Sequence, residues 1–217
     1  MLACVLLTFV QQPPAAPPAS PVPATKLQTR WAALVTPDKV LPEYPRPQMV
    51  RPQWKSLNGE WSYAITDGAA PRPQSFDGRI LVPFPIESQL SRASVRVLPE
   101  QRLWYRRTFT PPALGAGNRL LLHFGAVDWE AVVYVNGQQV AEHKGGYDPF
   151  TADITGALKP GGGDQELVVA VRDSTDAGQQ PRGKQVLKPQ GIYYTAVTGI
   201  WQTVWLEPVP ARHITAL

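Results

Sequence analysis

The chain has 217 residues, enough for one large β domain with a real core or at most two small domains. Hydrophobic residues at 43% and charged residues at 18% make a globular balance, and the formal charge of +4 contains no basic run longer than Arg106-Arg107. A surface that tracks phosphates needs clustered charge, so a nucleic-acid partner is not expected, and the single cysteine, Cys4, excludes an internal disulfide framework.

At the N-terminus, Leu2 to Val10 is an apolar run of signal-peptide length, too short to span a bilayer. No basic residue precedes it, yet the run still points to an exported protein, periplasmic or extracellular, with no membrane span. QQPPAAPPASPVPA follows, and such a sequence can bury almost nothing. Residues 1–25 are therefore expected to be a signal-like segment and proline-rich tether. Residues 26–50 carry scattered apolar groups between prolines 37, 42, 45 and 47, which suits an extended segment laid over a domain surface.

Residues 51–212 have a different texture. LNGEWSYAI places Trp61, Tyr63 and Ile65 on one face, RLWYRRTF alternates, and RLLLHF and ELVVAV are short buried runs. Val127 to about His143 reads as a hairpin whose Asn136-Gly137 step supplies the positive φ values of a tight type I′ turn. IWQTVWLEPV closes the pattern, with Trp201, Thr203 and Trp205 alternating against Ile200, Gln202, Val204 and Leu206. About eight strands without crossover helices imply an all-β, antiparallel two-sheet sandwich. The longest connections, 83–102 and 173–192, exceed what a compact domain needs for a simple turn, and such loops tend to carry function.

SLNGEWSYAI, VPFPIESQLS, LWYRRTFTPP, LLHFGAVDWEAVVYVNGQQVAEHKGGYDPFTADIT and TGIWQTVWLEPV, in that order, resemble the N-terminal sugar-binding domain of glycoside hydrolase family 2, which includes β-galactosidases, β-glucuronidases and β-mannosidases. The resemblance covers about residues 50–210. It implies a jelly-roll sandwich of the galactose-binding type, followed in complete enzymes by an immunoglobulin-like domain and a TIM barrel that holds the acid and nucleophile glutamates. On that reading the chain is truncated before its catalytic domain and is inactive alone, with no catalytic residue and no cofactor of its own. A free-standing lectin-like carbohydrate-binding module and a purely structural sandwich are the alternatives.

Glycoside hydrolysis needs two carboxyl groups about 5–9.5 Å apart. Asp128 and Glu130 would share a strand face at about 6–7 Å between Cα atoms, but two solvated residues at a strand start are the simpler account. Trp129, Tyr147 and Phe150 suit either sugar stacking or packing, whereas Tyr134 lies inside a strand and reads as core. In the family the resemblance names, an acidic residue six positions before the Gly-Ile step often meets substrate; here that position is Tyr193, which leaves the sugar unspecified. Arg182, Lys184, Gln185 and Tyr193 are the substrate-binding candidates, with a solvated charged loop as the plainer account. His123, His143 and His213 are too far apart for a zinc site, and His123 reads as a strand residue with a satisfied ring. Asp173 and Asp176 could lend oxygens to calcium, but nothing in their spacing demands a metal.

Overall fold

The structure is a computed structural model that describes residues 20–21, 28–76 and 78–217. It is an all-β antiparallel two-sheet sandwich, as the sequence patterning implies, with the jelly-roll form that the resemblance implies. Nine strands of four or more residues build it: β1 (Gly59–Asp67), β2 (Gly78–Val82), β3 (Gln101–Phe109), β4 (Arg119–Phe124), β5 (Glu130–Val135), β6 (Gln138–Lys144), β7 (Phe150–Asp153), β8 (Gln165–Arg172) and β9 (Val204–Val209). One sheet runs β6-β5-β8-β3-β1-β2, and the other runs β7-β4-β9 with Lys55–Ser56 at its edge.

Period-two alternation explains the core. Trp61, Tyr63 and Ile65 of β1, Leu103 and Tyr105 of β3, Val133 and Val135 of β5, and Val204 and Leu206 of β9 face one another between the sheets. The Trp61 indole crosses the Tyr105 ring edge-on at 6.2 Å and gives its N–H to Leu57 O at 2.8 Å, so its burial leaves no donor unpaired. Asn136 and Gly137, at φ 51° and 84°, close the β5–β6 hairpin. Tyr134 belongs to the opposite face. There it packs half-buried against a smaller cluster of Phe76, Trp104, Val168 and Ala170.

β9 is buried on both faces because the segment before the sandwich covers its outer side. Glu207, with no exposure, accepts hydrogen bonds from Tyr44, Arg46 and Trp205 and from Arg51 Nε at 2.9 Å. His123 stacks on Trp205 at 4.7 Å, bonds Thr151 through Nδ1 at 2.7 Å and faces Glu207 with Nε2 at 3.3 Å. Residues 28–50 thus lie over the sandwich, with short 3-10 turns at Ala32–Leu34 and Pro47–Met49. Most of the expected 1–25 tether lies outside the described residues; Ser20–Pro21 pairs with Val95–Arg96. No helix among the described residues is long and apolar enough to cross a membrane.

Candidate functional site

The chain leaves β8 at Arg172 and returns to the sandwich at Gly199–Ile200, which pairs with Val127–Asp128. The connection between is long but not loose. Its first foot is Asp173, 2% exposed, whose carboxylate accepts from Thr175 N at 2.7 Å and Thr175 Oγ1 at 3.1 Å. Its second foot is Thr198, which donates Oγ1–H to the same carboxylate at 3.2 Å and its amide to Glu87 Oε2 at 2.9 Å. Midway, Gln185–Val186 and Tyr194–Thr195 form a two-residue parallel ladder. Gly199, at φ 90°, lets the chain pass beneath the Tyr105 hydroxyl; a Cβ there would come within 2.0 Å of that oxygen. The hydroxyl in turn accepts from Ile200 N at 3.2 Å.

The four candidates on this loop have different fates. Gln185 is half-buried and committed at both ends, donating Nε2–H to Asp128 Oδ2 at 2.9 Å and accepting from Val197 N at 2.6 Å through Oε1. It positions the loop through these two bonds. Arg182 is half-buried and 4.0 Å from Asp176 Oδ2, while Lys184 is exposed. Tyr193 is 47% exposed between Ile192 and Tyr194, which are more exposed still, so an apolar crest stands out on the loop.

Asp128 does not behave as a solvated strand-start residue. It is 3% exposed, because Gly146 closes over it: a Cβ at Gly146 would lie 2.7 Å from Asp128 Oδ1. Glu130 points the other way and pairs with Lys144 at 2.8 Å, so the two acids do not act as a facing pair. Trp129, half-buried between them, walls a cleft of about 420 Å³ with Arg172, Ser174, Gln179 and Gln180, and its indole N–H has no partner. Tyr147 is half exposed and meets Trp201 edge-on at 6.3 Å, while Phe150 stacks on Phe124 and His143 and belongs to the packing. Among the described residues no three His, Cys, Asp or Glu side chains are grouped to hold a metal ion. Asp173 turns inward, whereas Asp176 is exposed and faces Arg182.

Glu87, Asp128 and Asp173 thus form a buried acidic cluster under the loop, which strand patterning alone could not reveal. Burial pushes the Glu87 carboxyl up to about 8, only partly offset by the bonds from Thr198 and reinforced by Asp173. Burial likewise raises Asp128 to about 7 against the Gln185 bond. Asp173 is raised too, but its bonds from Thr175, Thr198 and Gln180 oppose the shift.

The glycosyl hydrolase 2 galactose-binding domain-like family model matches residues 83–198, over half of the chain and nearly all of the loop with its acidic floor. A β-galactosidase of Thermoanaerobacter pseudethanolicus is 38% identical over 113 residues, covering 51% of this chain and 14% of the relative. A β-glucuronidase of Felis catus is 32% identical over 202 residues, covering 79% and 31%. Among solved structures, the β-glucuronidase of Faecalibacterium prausnitzii superposes with a TM-score of 0.53 at 31% identity, covering 78% of this chain and 33% of that one. The chain therefore spans under a third of the curated relatives' length, and within that span it belongs to the galactose-binding-like domain family of glycoside hydrolase family 2.

Proposed function

We propose that this chain is the non-catalytic sugar-binding domain of an exported family 2 β-glycosidase, where it supports and narrows an active site whose acid and nucleophile stand on another domain. The observation that carries the reading is the loop itself. It is footed on buried side chains at both ends and raises Ile192, Tyr193 and Tyr194 into solvent. A connection ordered this firmly yet apolar at its crest suits a wall against which a sugar or a neighbouring domain packs. Relatives named as β-galactosidase and β-glucuronidase support a β-glycoside as the substrate class.

The test is kinetic. In the enzyme that carries this domain, Arg182→Ala with Tyr193→Ala is expected to lower kcat/KM by about 1–3 kcal/mol, the range for losing one or two polar contacts to a ligand. Unchanged kinetics would leave a structural sandwich. The 217-residue chain alone is expected to show no turnover of aryl β-glycosides. One observation favours a second reading, a free-standing carbohydrate-binding module: the cleft walled by Trp129. Micromolar monosaccharide binding by the isolated chain, abolished by Trp129→Ala, would favour that module over a single wall of a shared pocket.

A further inference from the structure

Three carboxyl groups lie buried where the loop meets the sandwich, and the hydrogen bonds around them are unequal. Asp173 receives bonds from the Thr175 amide, the Thr175 hydroxyl and the Thr198 hydroxyl, enough to hold a negative charge. Glu87 receives the Thr198 amide on Oε2, and its Oε1 is buried with no partner. Asp128 receives the Gln185 amide on Oδ2. None of the ion pairs among the described residues involves any of the three. Among the described residues, the groups that face them from neighbouring elements offer no cation: the Tyr105 hydroxyl of β3 lies within electrostatic reach of Glu87, and Gly146 covers Asp128. Around the neighbouring Gly145, His143 Nε2 and Asp148 Oδ2 flank the same turn, and Arg182 on the loop faces Asp176 instead. Three like charges cannot share such a floor without cations, and protons are the simplest neutralisation.

We propose that Glu87 and Asp128 are held as neutral carboxylic acids around an ionised Asp173, and that together they form a proton-loaded latch which fixes the 173–198 connection and releases it as protons are lost. The two feet of the loop are bonded to this cluster directly, through Thr175 and Thr198, and its middle is bonded through Gln185. Ionising Glu87 or Asp128 places a second uncompensated charge beside Asp173 under the loop, and the cost of that buried charge and its repulsion is relieved when the loop lifts away, while the sheets stay intact. Burial raises all three carboxyls, and at Asp173 the bonds from Thr175, Thr198 and Gln180 oppose the rise. An acid whose folded form holds its proton more tightly contributes stability that is complete below its unfolded pKa and is lost as pH rises through the folded value. The latch is accordingly tightest in acid and progressively weaker up to about pH 8. The consequence for catalysis, a sugar-pocket wall that orders in acid, rests on the proposed function; the latch itself does not.

The experiment reads the loop in the 217-residue chain. Amide hydrogen exchange is followed at Thr175, Val197 and Thr198 between pH 5 and 8, corrected for intrinsic rate and compared with Val169 in β8. Protection of the three loop amides is expected to fall at least tenfold across that range, about tenfold for each unit in which one proton is linked to opening, while Val169 changes little. Glu87→Gln and Asp128→Asn, which mimic the protonated acids, should flatten the fall. If both variants fail to fold, the wild type still decides: its infrared spectrum at pH 6 should contain the carbonyl band of a protonated carboxylic acid, which disappears on unfolding. Flat protection in the wild type, or no such band, overturns the latch. Loss of the latch with intact effects of Arg182→Ala and Tyr193→Ala on kcat/KM spares the pocket reading, and the reverse result spares the latch.

Discussion

Two buried carboxyl sites in this domain solve the same problem in opposite ways. On the outer side of β9, Glu207 is completely buried but sits among Arg46, Arg51, Tyr44 and Trp205. Burial alone would raise its carboxyl, yet the bonds from His123, Arg46, Tyr44 and Trp205 hold it well below the usual range. Under the loop, Glu87 is nearly as deeply buried with no cation beside it among the described residues, and its carboxyl rises. Burial does not set the charge of a carboxyl; the partners that burial brings do. One site is a charge that ties the N-terminal segment to the sandwich, and the other is a proton that ties the loop down.

The sharpest way to break the comparison is to remove the charge at the first site. Glu207→Gln leaves Arg46 and Arg51 without their anion and is expected to destabilise the domain by about 2–4 kcal/mol in urea unfolding, somewhat under the cost of breaking a fully buried pair because both arginines keep some access to water. A loss under about 0.5 kcal/mol would mean the network does not hold the segment. The second site should respond to pH. Wild-type stability is expected to fall as pH rises from about 5 to 8, and Glu87→Gln should be about 1–3 kcal/mol more stable than wild type at pH 8 while nearly matching it at pH 5. Equal stability at both pH values would show that Glu87 is not protonated in the fold. Asp128→Asn should act in the same direction with about 1–2 kcal/mol, since burial raises its carboxyl to about 7. The smallest effect belongs outside both networks: Tyr193→Ala should leave the unfolding free energy within about 0.5 kcal/mol of wild type, because the crest is solvated. A larger loss would place that tyrosine in the packing.

The sandwich was legible because its signals are local. Alternation in LNGEWSYAI put Trp61, Tyr63 and Ile65 inward, and Asn136-Gly137 named the hairpin turn. The acidic floor was not legible, because its members come from three distant stretches. Nothing local distinguishes Asp128, buried under Gly146, from Glu130 two residues on, which meets solvent and Lys144. A lone Gln in a polar loop gives no sign that Gln185 bonds Asp128 at one end and the Val197 amide at the other. Tyr134 fitted a core strand, but alternation alone could not say which of two apolar faces it joined. The site residues depend on long-range closure, which period and turn chemistry do not encode.

Both feet of the loop stand on one side chain, since Thr175 and Thr198 each bond Asp173. The chain between them is therefore a ring closed at its base, and the cost of lengthening a closed ring grows only with the logarithm of its length. Residues can be inserted or exchanged around Gly178 to Gly183 without moving the point at which the ring meets the sheets. In evolutionary terms the loop is a cassette: its crest, Ile192 to Tyr194, can change while the feet beneath it stay in place.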